Sequence, residues 1–196
     1  MRYILSLVMF VALLSGSAIA QNPTAPVKEM NPNSWKDFTS KKGQFTVSLP
    51  GRPEHQDLSH KTEVGPIESH CFVLDTDFAS YFIAYTELPP GSNPTTEENK
   101  AKLDENRNQP ATDGSRLISE TEVSIGGTMG KESLVEKKDL ISRSRYVYIK
   151  DRLYQLIITA PRTVVFHNGK TSANPVDRSE LFEKVSATFF DSFKLK

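Results

Sequence analysis

The stretch that most constrains this chain is residues 144–160, SRYVYIKDRLYQLIITA, where two β-favouring runs are separated only by Lys150, Asp151 and Arg152. Aromatic, β-branched and aliphatic side chains suit a pleated surface, so these runs predict an antiparallel hairpin. With Asp151 and Arg152 at the centre of the turn, Ile149 pairs with Tyr154, Val147 with Leu156 and Arg145 with Ile158, and one face is apolar nearly throughout. The other face carries Tyr146, Tyr148, Gln155 and Ile157, so it is not a solvent face either. A three-residue loop shifts the pairing by one and mixes the faces differently. Strands apolar on both faces are covered on both, which predicts a sheet with helices or long loops packed over each side.

The N-terminus reads as a targeting segment. Arg2 precedes an apolar run at residues 4–14 that is too short to span a bilayer, and Ala18-Ile19-Ala20 supplies the small residues a signal peptidase requires before Gln21. Residues 1–20 are therefore expected to be removed. Residues 21–34, with Pro23, Pro26 and Pro32, are expected to form a flexible leader, and residues 35–196 a single domain. The expected location is the periplasm or the exterior, with no membrane span after signal cleavage. The 24 basic side chains less Arg2 stand against 24 acidic ones, a net charge of −1. That balance favours neither nucleic acid nor an anionic membrane. Cys71 is the single cysteine, so packing alone must hold the domain together.

Along the chain, Phe45, Val47 and Leu49 alternate with polar neighbours and predict a half-buried strand, stopped by Pro50-Gly51-Arg52-Pro53. Residues 54–64 and 67–74 predict a hairpin turning at Gly65-Pro66, its first arm an exposed edge guarded by Lys61 and Glu63. Residues 81–85 are apolar on both faces and belong in mid-sheet beside the central hairpin. Thr95 with Glu98 has capping-box spacing and predicts a helix over residues 96–108 with a thin apolar face, Ala101 and Leu103. Asp177 with Glu180 repeats that spacing and opens a helix whose stripe of Leu181, Phe182, Val185 and Phe189 should cover one face of the sheet. The expected fold class is α+β: one domain built on an antiparallel β-sheet of about six to nine strands, with helices packed on its faces.

Trp35-x-x-Phe38, Gly43-x-Phe45-x-Val47-x-x-Pro50-x-x-Pro53, the run Asp151-Arg152-Leu153-Tyr154-Gln155-Leu156, and Phe190-x-x-Phe193 enclosing Ser192 resemble a group of exported bacterial proteins of unknown function. Those proteins are similar in layout to the PsbP-like fold, an antiparallel sheet sandwiched by helices, seen in the lumenal extrinsic subunit of photosystem II. The resemblance covers nearly all of the chain after the signal. Members of that fold are mainly binding or assembly subunits without a shared catalytic centre. The resemblance thus implies a non-enzymatic role and carries no functional residue over.

His55, His60, His70 and Cys71, with Glu54 and Asp57 nearby, are donors that zinc or copper prefers, and a turn at Gly65-Pro66 brings His60 opposite His70. Their spacing matches no metal motif, so surface histidines are expected, with no metal and no cofactor. His70 and Cys71 are strand neighbours that point to opposite faces, which denies the thiol a base and predicts a buried, inert cysteine. No Gly-x-Ser-x-Gly, Ser-x-x-Lys, His-Glu-x-x-His or phosphate-cradling loop occurs, and no catalytic residue is expected. Arg143, Arg145, Lys150, Arg152 and Arg162 concentrate base around the hairpin, suited to an acidic partner or to a rim paired with local acids. Residues 161–175 form a long connection in which Phe166 precedes the turn-prone Asn168-Gly169. With Arg162 and Lys170 it makes an apolar anchor with a basic rim, the expected binding site. The blander reading has Val164-Val165-Phe166 continuing the preceding strand. The functional expectation is an exported, non-catalytic binding or accessory module for a protein partner in the envelope or outside the cell. The alternatives are a hydrolase or metal-dependent enzyme with a dispersed site, and a carrier of a small apolar ligand.

Overall fold

The computed structural model describes residues 35–62, 65–88, 114–164 and 176–196. Its strands are β1 Lys36–Ser40, β2 Phe45–Leu49, β3 Glu54–Thr62, β4 Gly65–Asp75, β5 Ser80–Glu87, β6 Ser115–Ile125, β7 Thr128–Lys137, β8 Leu140–Ile149, β9 Arg152–Pro161, the short β10 Thr163–Val164 and β11 Val176–Asp177, and β12 Lys194–Leu195. One helix, α1 Ser179–Asp191, lies between β11 and β12. Seven strands form a single antiparallel sheet in the order β3-β4-β5-β9-β8-β7-β6, while β1, β2 and β12 form a second sheet and β10 pairs with β11. The fold class is the α+β arrangement expected. The helix expected over residues 96–108 falls outside the described residues.

Tight turns explain why sequence neighbours pair so consistently. Ile125 sits opposite Thr128, Lys137 opposite Leu140 and Ile149 opposite Arg152, each across a two-residue connection. Gly126 and Gly127 both hold positive φ, which a primed turn demands and glycine adopts without steric cost. In the central hairpin the turn residues are Lys150 and Asp151, not Asp151 and Arg152, so Val147 pairs with Tyr154 and Arg145 with Leu156. Arg152 is drawn into β9 by long-range partners: its guanidinium donates to the Lys42 carbonyl at 2.9 Å and to Glu87 at 2.9 Å. The register therefore slips by two residues. Since side chains alternate with a period of two, every residue keeps the face expected of it.

On one face of the large sheet, Tyr81, Ile83, Tyr85, Val147, Tyr154, Leu156 and Ile158 pack against Phe45, Val47 and Leu49 of β2 and against Phe182, Val185 and Phe189 of α1. Phe45 is the hub: it makes edge-on pairs with Phe72, Tyr85 and Tyr154 at 5.8, 6.5 and 6.4 Å and a tilted pair with Phe193 at 5.4 Å. A side chain at residue 43 would collide with that ring, since a Cβ there meets it at 2.7 Å, which explains Gly43. The Gly43 carbonyl accepts a 3.0 Å bond from the Tyr154 hydroxyl, fastening the β1–β2 turn to the large sheet. On the opposite face Ile67, Ser69, Cys71, Ala84, Thr86, Leu153 and Gln155 are also buried. Both faces of the central strands are thus withdrawn from water, as their apolar pattern requires.

The start of α1 differs from the expected capping box. The helix begins at Ser179, Arg178 holds the cap position without a side-chain capping bond to the helix, and the Asp177 carboxylate accepts from the Ser179 N–H at 2.8 Å and from its hydroxyl at 2.6 Å.

Candidate functional site

The expected site at Arg162, Phe166 and Lys170 is only partly visible, because Phe166 and Lys170 lie outside the described residues. Val164 belongs to β10, opposite Val176. Arg162 stands at the break between β9 and β10. Its N–H donates to the Asp139 carbonyl at 2.7 Å, its own carbonyl accepts from the Arg178 N–H at 2.9 Å, and its guanidinium pairs with Glu136 at 2.8 Å. The same carboxylate takes Arg116 of β6 at 2.6 Å. One acid therefore serves two arginines at this end of the sheet.

Three exposed apolar side chains share that end, a feature the residue-by-residue reading missed. Leu117 and Ile118 are 46% and 40% exposed on β6, and Leu140, opposite Pro161, is 37% exposed. The pairing of β6 with β7 shifts between Leu117 and Ser119, a bulge centred on Ile118. Two consecutive apolar residues in an otherwise polar strand were the available signal, since a regular strand cannot turn both toward one core. In the strand order β6 closes the sheet, so its outer backbone edge has no strand partner among the described residues.

Arg143, Arg145 and Arg152 around the hairpin are matched to acids. Arg143 reaches Glu183 of α1 at 2.5 Å and lies over the Phe182 ring; Arg145 reaches Glu132 at 2.5 Å and Asp191 at 3.4 Å and lies over Phe190. Arg152 pairs with Glu87 at 2.9 Å. These guanidiniums clamp the helix and the neighbouring strands, and those of Arg143 and Arg145 lie over aromatic rings of α1. That is the paired rim rather than an open acid-binding surface. On the opposite face Lys131, almost wholly buried, is matched to Glu120 at 3.0 Å, beside a hydroxyl chain of Ser133, Ser144 and Tyr146.

At the other edge, Thr62 pairs with Gly65 and Lys61 with Pro66, so Gly65 and Pro66 belong to β4 rather than forming the turn expected there. This corrects the expected pairing: His60 faces Ile67, and His70 faces Asp57. His55 lies two residues from Asp57 on the same strand and hence on the same face. One oxygen of Asp57 accepts a hydrogen bond from His70 Nδ1 at 2.5 Å and lies 2.9 Å from His55 Nε2. The bond from His70, and then the charges of His55 and Lys42, hold the Asp57 carboxyl below its ordinary value. Cys71 points to the opposite face, where burial pushes its thiol up to about 11 and leaves it protonated at neutral pH.

Neither a protein-family profile nor a curated protein sequence matches the chain. Among solved structures, the chain is similar to the cyanobacterial PsbP protein CyanoP of Synechocystis sp. PCC 6803, with a TM-score of 0.51 and 12% identity over 83% of this chain and 92% of that one. It also aligns with the Ran-binding protein Mog1p of Saccharomyces cerevisiae, with a TM-score of 0.45 and 10% identity over 82% of this chain and 95% of that one. The fold is PsbP-like, as the residue resemblance implied. No helix among the described residues is long and apolar enough to cross a membrane.

Proposed function

We propose that the chain is an exported, non-catalytic binding or accessory module that takes an extended segment of an envelope or extracellular protein along β6. The observation that carries this reading is the β6 edge itself. An edge strand offers a row of backbone donors and acceptors to an added strand, and natural sheets usually blunt it with short length or lysines. Here the edge runs for 11 residues and bears exposed Leu117 and Ile118. Arg116 and Arg162, sharing Glu136, supply a basic flank that suits a partner segment carrying an acid near its apolar anchor. Export rests on residues 1–20, and the intact mass of protein recovered outside the cytoplasm should begin at Gln21.

The docking surface is tested by placing a photo-crosslinking residue at position 118, and separately at Lys184 on the exposed side of α1, in cells that make the protein. A discrete adduct from position 118 and not from Lys184, lost when Leu117→Ser is added at unchanged melting temperature, is the expected result. Equal labelling from both positions counts against the β6 reading.

A further inference from the structure

We propose that His55, Asp57 and His70 form a binding site for one divalent transition-metal ion of the zinc or copper type. The argument begins with register. Asp57 and His70 are directly opposed across β3 and β4, and residues so placed have Cβ atoms about 5 Å apart. His55 reaches the same point from two residues along β3. The result is two imidazole nitrogens and one carboxylate oxygen whose candidate ligand atoms all lie within 4.8 Å of one another.

The imidazoles are held by their neighbours rather than left to rotate. The His70 ring stacks on Tyr85 at 4.6 Å and the His55 ring on Phe72 at 4.8 Å, and the two imidazoles are themselves nearly parallel at 6.1 Å. Phe72 and Tyr85 are both core residues, so the platform beneath the site is rigid. A ligand set already oriented by packing loses little freedom when an ion arrives.

The donor chemistry selects the ion. Calcium and magnesium take oxygen ligands, whereas imidazole suits zinc, copper and nickel, and a carboxylate completes a three-ligand set with open positions for water. Ligand bonds of about 2.0–2.1 Å require these atoms to surround a common point instead of sharing hydrogen bonds through Asp57. Little movement achieves that. The Asp57 side chain is 62% exposed and can swing, while His70, at 14% and stacked on Tyr85, is the fixed ligand and His55 is steadied by Phe72. The ion takes the place of the contacts that now join the imidazoles to Asp57. Cys71 contributes nothing, since it lies on the other face. The proposal reverses the expectation drawn from spacing, which put His60 where Asp57 stands.

Calorimetric titration of the purified, untagged protein with zinc chloride, and separately with a copper(II) salt, is expected to saturate at one ion per chain. The copper(II) form should show nitrogen hyperfine structure from imidazole in its electron paramagnetic resonance spectrum. The double variant His55→Ala, Asp57→Ala removes two of the three ligands and should abolish saturable binding, while a circular dichroism spectrum like that of the wild type shows that the fold is kept. His60→Ala should bind as the wild type does. Binding that survives the double variant, that depends on His60 instead, or that is absent from the wild type overturns the assignment.

Discussion

Replacing Phe45 tests whether the second sheet is held to the first by aromatic geometry or by burial alone. The side chain is fully buried and touches rings from β1, β4, β5, β9 and the segment after α1: Phe38, Phe72, Tyr85, Tyr154 and Phe193. Truncating a core phenylalanine to alanine costs about 3–5 kcal/mol, from lost transfer energy and an unfilled cavity. Each edge-on pair adds about 0.5–1.5 kcal/mol beyond the area it buries, and Phe45 makes three such pairs, so Phe45→Ala belongs near about 5 kcal/mol. Phe45→Leu keeps most of the apolar volume and loses the ring edges; three pairs at the lower bound give about 1.5 kcal/mol. With a urea slope of about 2 kcal/mol/M, the midpoint should fall by about 2.5 M for the alanine variant and somewhat under about 1 M for the leucine variant. Urea unfolding followed by intrinsic fluorescence and by circular dichroism measures both. A leucine variant with the midpoint of the wild type would refute the aromatic account, and an alanine variant with an unchanged midpoint would mean that β2 is not docked on the large sheet at all.

Leu156, fully buried opposite Ile83, should cost about 2–5 kcal/mol as Leu156→Ala, read from the same denaturant curves. Cys71, buried and with its thiol raised to about 11, should resist iodoacetamide at pH 8 in the folded protein and react fully in denaturant, as mass spectrometry of the intact chain would show. The Asp57 carboxyl, held low first by the bond from His70, should titrate by nuclear magnetic resonance below 3.8 and return toward it in His70→Ala. A depressed folded value makes the contribution of Asp57 to stability fully present above the unfolded value and lost as pH falls through the folded one. The His70→Ala variant should accordingly show a shallower loss of stability in that acid range.

Much of the architecture was legible because it depends on local period. The both-face apolar run at residues 81–85 places β5 inside the sheet, the alternation of Phe45, Val47 and Leu49 gives β2 its buried face, and the stripe of Phe182, Val185 and Phe189 turns α1 inward. What could not be read depends on partners far away in sequence. The central turn lies one residue earlier than its composition suggested because Arg152 is tied to Lys42 and Glu87, 110 and 65 residues distant. The pairing of the hairpin arginines with Glu183 and Asp191 arises only once α1 lies across β8. The histidine cluster was obscured by the turn expected at Gly65-Pro66: His70 lies opposite Asp57 rather than His60, and because these two are three residues apart on β3 the shift also changes which face of that strand meets His70.

The second sheet joins the two ends of the chain in a way that sets the order of events during synthesis. β12 pairs with β2, with Lys194 opposite Thr46 and Leu195 opposite Phe45. The Ser48 N–H donates to the Ser192 hydroxyl at 2.9 Å, and the Lys196 N–H to the Gln44 carbonyl at 2.9 Å. A chain that appears from its N-terminus makes β2 early and its partner last. Pairing across so long a separation must first overcome the entropy of closing the intervening loop, which makes such contacts slow to form. Until residue 195 is free, β1 and β2 are a two-stranded ribbon, marginal in water by itself. The ribbon therefore gains its third strand only after every strand of the large sheet has been made.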